Sequence, residues 1–216
     1  MNYRKTMILG VCAAFLLQAC NQSPKTESQG TSTLSADTVL DGHADGKNSN
    51  LSKLKPEEAS FIAQAAVGGL MEVEVGNLTL QKTKLEQVKD FAKRMIKDHT
   101  QANSELQTLA SGMGIKLPGA LPSAEQSHFD AMKQMMANEY DQNYMDMMVN
   151  DHAKTIDLFN GASRFENAEL KSFALKMLPV LNEHNRMAIR LDSLVKLENR
   201  GPKGDDLPNV DKRHKN

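Results

Sequence analysis

Three of the six histidines in this 216-residue chain stand where helical spacing calls for an apolar side chain. Tyr140, Tyr144, Met145, Met148, Val149, Ile156 and Phe159 recur at steps of three and four, one face of an α-helix, and His152 falls inside that face. His99 interrupts the row Val88, Phe91, Ala92, Met95, Ile96, Ala102, Leu106, Leu109 in the same way. His184 does so in the row Leu170, Phe173, Ala174, Met177, Leu181, Met187, Ala188, Leu191. Neutral imidazole is the commonest metal ligand among side chains, so three core-facing histidines on three helices point to one shared ligand, a transition metal first among them.

Each histidine follows an acid, in Asp98-His99, Asp151-His152 and Glu183-His184. Neighbouring helical positions point about 100° apart, so these acids suit orienting a histidine on the next helix rather than sharing a ligand sphere with their own. Met95, Met148 and Met187 lie one turn from the histidines on the same faces, and Glu72 offers a polar core candidate on the first helix. At about 1.5 Å per residue, Glu72, His99, His152 and His184 all fall roughly 15 to 25 Å from a hairpin end, the middle of a bundle. The alternative is that the imidazoles are satisfied separately by carboxylates and tyrosines while the methionines fill gaps.

The residues three before His99, His152 and His184 are Ile96, Val149 and Leu181, so the paired Glu-x-x-His motifs of carboxylate-rich di-iron sites are missing. Glu125 and His128 have that spacing, on a short connecting helix where both are expected to be exposed. A His/Met set favours copper, and His₃ with Glu72 favours zinc, both ahead of iron.

The elements that position these residues read as all-α. There is no Trp, 13 Met and no alternation of the kind strands show. Pro56 opens a first helix to about Lys82, where Gly68-Gly69 weakens the helix and is explained by a neighbouring backbone packing close. Thr83-Lys84-Leu85-Glu86 predicts a capping box for a second helix over Leu85 to Ser111, stopped by Gly112 and Gly114. Ser123-Ala124-Glu125-Gln126 predicts a cap for a short helix carrying Phe129, Met132, Met135 and Met136 within a long crossover. The third long helix and a fourth over Leu170 to Leu197 follow, with a kink expected at Pro179. The frame Lys89-x-Phe91-Ala92-x-x-Met95 returns as Lys171-x-Phe173-Ala174-x-x-Met177, which suggests two related helical hairpins.

Arg4 and Lys5 precede an apolar run from Met7 to Leu17 and then Leu17-Gln18-Ala19-Cys20, the features of a signal peptide. This end resembles a bacterial lipoprotein signal, which implies cleavage before Cys20, lipidation of Cys20 and a membrane anchor. Asn21 after the cysteine then favours the outer membrane, with the domain facing the periplasm. The expected organisation is a signal peptide over 1–19, a disordered tether over 20–50 rich in Ser, Thr, Asn and Gly, a bundle over 51–198 and a disordered charged tail over 199–216. Cleavage would move the formal net charge from −1 to −3 by removing Arg4 and Lys5, and nothing in the chain suggests nucleic acid.

With Glu72, Met95-x-x-Asp98-His99, Leu117-Pro118, Asp151-His152 and Leu178-Pro179-x-x-x-x-His184 in order, the chain resembles the bacterial domain of unknown function four-one-four-two. The resemblance covers about Pro56 to Leu197 and implies a ferritin-like four-helix bundle of the cell envelope, with no established activity. The stretch Met147-Met148-x-x-x-His152-x-x-x-Ile156 is also similar to a second ferritin-like family with Met/His helices, suspected in copper handling, which pairs histidines where this chain has Asp151-His152. The reading is of a lipid-anchored bundle that buffers or carries a metal. Its rival is a metal-free bundle that docks a protein partner on the Met-rich face of Phe129 to Met136. No nucleophile with an adjacent base and no phosphate loop argues for an enzyme.

Overall fold

Helix starts and stops in this chain depend on a few side chains more than on propensity. A computed structural model describes residues 54–199. It contains α1 (Pro56–Lys82), α2 (Glu86–Gly112), α3 (Ser123–Gln134), α4 (Ala137–Ala162) and α5 (Ala168–Asn199), with no strand among the described residues. Pro56 takes the first position of α1, where its missing N–H is not needed. The buried Glu58 carboxylate accepts the Lys55 N–H at 3.0 Å and the Asn167 N–H at 3.3 Å, which ties the start of α1 to the start of α5. Asn167 in turn caps α5, its Oδ1 accepting the Glu169 and Leu170 N–H groups at 3.1 Å each.

Two expected caps take another form. Thr83 does not cap α2: its hydroxyl accepts the Leu85 N–H at 3.1 Å, shaping the turn, and Leu85 holds the cap position without a side-chain bond. Ser123 is already the first helical residue of α3, behind Pro122, and does not cap it. The end of α2 belongs to Gly114, whose φ of 76° lets the Gly114 N–H reach Ser111 O and the Ile115 N–H reach Ala110 O at 2.8 Å. That pairing satisfies the last carbonyls of the helix, and only glycine adopts the conformation freely. α5 continues through Pro179 without a break. Pro179 and Leu175 both face solvent, so the carbonyl that loses its partner is on the wet side of the helix.

Two apolar clusters give the topology. One joins Phe61 and Ala66 of α1, Leu106 of α2, Phe159 of α4, and Phe173 and Leu181 of α5. The other joins Val75 of α1, Phe91 and Met95 of α2, Tyr140 and Met148 of α4, and Leu191 of α5. The first half of α1 therefore shares a level with the second half of α2, the second half of α4 and the first half of α5. Two antiparallel hairpins, α1/α2 and α4/α5, form a four-helix bundle in which α1 packs on α4 and α2 on α5. The segment from Met113 to Met136 crosses over along the bundle, with α3 lying on α1. Phe91 and Phe173, equivalent in the repeated frame, occupy opposite ends.

The α1/α2 hairpin is close-packed through missing side chains. A Cβ at Gly69 would collide with the Asn103 side chain, and one at Gly76 would stand 2.7 Å from Ile96 Cγ1. The Gly68-Gly69 step is thus partly explained, by a side chain of α2 rather than by its backbone. The Met-rich face of α3 also turns inward: Met132 is fully buried and Phe129 and Met135 pack beside it, leaving Met136 exposed. No helix among the described residues is long and apolar enough to cross a membrane. The expectations placed on Cys20, the signal, the tether and the tail lie outside the described residues.

Candidate metal centre

His99 of α2, His152 of α4 and His184 of α5 meet at one level between the two apolar clusters, each at least 93% buried. Their ring centroids are 5.4 to 5.7 Å apart, and one candidate donor atom from each lies within 4.8 Å of the others. Helical spacing from the flanking core residues brings them here: His99 follows Met95 by one turn, His152 follows Met148, and His184 precedes Ala188.

Hydrogen bonding fixes which nitrogens are free on His152 and His184. His152 Nδ1 lies 2.9 Å from the Met148 carbonyl, which can only accept, so Nδ1 carries the proton and Nε2 the lone pair. His184 Nε2 lies 2.9 Å from Asp98 Oδ2 and donates to it, leaving the lone pair on Nδ1. The atoms left unpartnered are His152 Nε2, His184 Nδ1 and His99 Nε2. An imidazole oriented by a bond from its outer nitrogen with its inner nitrogen bare has the arrangement of a metal ligand.

Burial supplies the protonation state. It pushes His99 down to about 3, with help from His152 and His184, and His152 down to about 4, with help from His184. Burial also lowers His184, although Asp98 opposes it. Burial alone would raise Asp98, but His184 and then Arg94, at 3.3 Å, hold it below its ordinary value. Three uncharged imidazoles beside an ionised carboxylate can take a divalent cation without first losing protons.

Glu72 stands on the same level from α1. Its Oε1 is 3.9 Å from His152 Nδ1 and its Oε2 has no partner. Burial, and then the charge on Asp151, raise it to about 8, so it is protonated at neutral pH. Tyr144, fully buried, is pushed well above its ordinary value by burial and then by Glu72.

The remaining sequence candidates divide. Of the three acids, Asp98 reaches a histidine of another helix, whereas Asp151 pairs with Lys154 at 3.3 Å and Glu183 pairs with Arg186. Met95 and Met148 are fully buried in the cluster on one side of the histidine layer, and Met187 packs against that cluster. Glu125 departs from its expected exposure: its Oε2 is buried and unpartnered, and with His128 it lines a cavity that also reaches Glu72, His99 and His152. The signal was in the sequence, since Glu125, Phe129 and Met132 follow the i, i+4, i+7 spacing of one inward face. Asn103, seated over Gly69 and lining the same cavity, carried no such signal.

Comparison with curated proteins and with solved structures found no match. The family model for Domain of unknown function (DUF4142) matches residues 44–191, more than half of the chain, and the chain belongs to that family.

Proposed function

We propose that this protein is a lipid-anchored envelope protein that binds one divalent transition metal through His99, His152 and His184, with Glu72, on releasing its proton, as a fourth donor, and buffers or carries that metal. The observation that carries the reading is the set of three buried imidazoles, from three helices, whose inner nitrogens converge without partners. Each unsatisfied buried polar group costs about 1 to 3 kcal/mol, so a layer of three is a burden that a common ligand removes. Nitrogen ligands at about 2.0 to 2.1 Å from a tetrahedral ion stand about 3.4 Å apart, which small ring rotations reach from the observed spacing. Three imidazoles with one carboxylate suit zinc or copper(II) ahead of iron, since iron oxidase sites draw on several carboxylates.

The anchor is read from Cys20 and the apolar run before it, and Asn21 after the cysteine favours the outer membrane, with the domain facing the periplasm. Replacing Cys20 with Ser releases the protein from membranes; retention of that variant after a carbonate wash refutes the anchor.

The test of the metal centre is thermal unfolding of the chelator-stripped protein with zinc, copper, iron or manganese. A metal at about 100 times its dissociation constant stabilises the fold by about 2.7 kcal/mol. Each of His99→Ala, His152→Ala and His184→Ala loses most of that shift, because one missing ligand breaks the sphere, while His128→Ala keeps it. If no metal moves the midpoint, or the three variants lose the shift independently and partially, the histidines are core packing.

A further inference from the structure

The histidine layer is buried, yet it adjoins a cavity of about 350 Å³ that is also lined by exposed residues. At about 30 Å³ of liquid volume per water, that space holds a cation together with its hydration shell. Gly68, His128 and Lys154 stand at its exposed mouth, and His99, His152 and Glu72 line its depth, while His184 does not line it. The rest of the lining is mixed. Leu106, Phe159 and Phe173 come from the adjoining apolar cluster, Gln64, Asn103 and Thr155 add uncharged polar groups, and Glu125 and Asp151 add carboxyl groups. Asp151 is paired with Lys154 at 3.3 Å, whereas Glu125 Oε2 is buried with no partner.

A divalent ion does not cross such a space bare. Losing the whole hydration shell at once is prohibitive, so the ion exchanges its waters for protein donors a few at a time. Such a path needs donors at the mouth, donors between, and the final ligands at the end. α3 supplies the first two: Glu125 and His128, three residues apart, are neighbours on one helix face, and α3 packs on α1, the helix that carries Glu72. Deeper in, Nε2 of His99, Nε2 of His152 and Oε2 of Glu72 are unpartnered. Asp98, bonded to His184, is not part of the lining, so it holds the site without standing in the path. A carboxyl oxygen kept from water with no partner is costly to the fold, and a cation in passage gives that of Glu125 a use that packing does not.

We infer that this cavity is the route by which a divalent cation reaches the histidine layer, with His128 at the mouth, Glu125 as the transfer ligand, and His152 and His99 as the receivers. The inference rests on the metal centre proposed above. It adds residues that set how fast the ion comes and goes rather than how tightly it is held. A group that lowers the barrier without holding the bound ion speeds uptake and release alike.

The experiment mixes the purified, chelator-stripped protein with cobalt(II), whose visible absorption rises on coordination, and follows release in EDTA at concentrations where the rate no longer depends on the chelator. Glu125→Gln slows uptake and release together, each by at least about tenfold, while the dissociation constant changes far less. His128→Ala, at an exposed position, slows both by a smaller factor. Asp130→Asn, the same carboxyl-to-amide change on the part of α3 bonded to Gln126 and Lys133, leaves both rates as in the wild type. The inference is overturned if Glu125→Gln keeps both rates within about twofold of the wild type. It is also overturned if that variant speeds release, which makes Glu125 a ligand of the bound ion, or if Asp130→Asn slows uptake as much. Failure of cobalt to bind at all is a different result: it refutes the metal centre, and the route falls with it.

Discussion

Replacing Glu72 with Gln should remove the alkaline sensitivity of the metal-free protein. In the folded state burial holds the Glu72 proton up to about pH 8, whereas the unfolded chain releases it near 4.5. Between those values the folded state binds more protons, so stability falls as pH rises. The histidines act in the opposite direction: His99 and His152, lowered to about 3 and about 4 from 6.5, cost stability as pH falls below 6.5. At pH 6.5 the unfolded histidines are half protonated, and their opposing slope fades by about pH 7.5. From pH 6.5 to 8 Glu72, at up to about 1.36 kcal/mol per pH unit, outweighs them and lowers stability by about 1 kcal/mol net. For a domain of this size that is roughly 2 to 4 °C in melting temperature. The assay is thermal unfolding of chelator-stripped wild type and Glu72→Gln at half-unit steps from pH 5 to 9. The wild-type midpoint peaks near pH 6.5 and falls on both sides, while the variant keeps only the acid limb. Parallel curves for the two proteins above pH 6.5 would refute the account of Glu72 as a buried, protonated neighbour of the histidines.

Asp98→Ala frees the outer nitrogen of His184 and should weaken metal binding about 10- to 100-fold in a competition titration, with the metal stoichiometry unchanged. Gly76→Ala should lower stability by about 1 to 3 kcal/mol through the clash with Ile96, whereas Gly68→Ala, with open space around its Cβ, should raise it by about 0.5 to 1 kcal/mol; urea midpoints distinguish them. Phe91→Ala and Phe173→Ala each empty a fully packed end of the bundle and should cost about 3 to 5 kcal/mol by the same assay; a loss below about 1 kcal/mol at either position would contradict its place in the core.

The four long helices were legible because an apolar row of period 3.6 survives a histidine in its middle, and Phe91, Met95, Phe173 and Met177 mark it without ambiguity. Convergence of the histidines followed from counting turns along those rows. Helix entry was less legible. Thr83 and Ser123 fit a capping pattern, yet the chain bends one or two residues away from where the pattern places the cap, and hydrogen-bond geometry rather than residue type decides. Glu125 is ambiguous by spacing alone, since it pairs at i, i+3 with the exposed His128 and at i, i+4 and i, i+7 with the inward Phe129 and Met132. Partners across the bundle, such as Asn103 over Gly69 or Glu58 beneath Asn167, depend on how two helices are rotated against each other, and no local pattern encodes that rotation.

The histidine layer takes Glu72 and His99 from one hairpin and His152 and His184 from the other. Neither hairpin alone offers more than two donors, so a metal has little to hold until the hairpins have docked. An ion at this layer then contributes little to the rate at which the bundle assembles and much to the rate at which it separates. Interactions absent from the folding transition state lengthen the life of the native state instead of hastening its formation. Loaded with the proposed metal, the bundle would behave as a clasp closed after assembly, its lifetime exceeding that of the empty form by more the more tightly the ion is held.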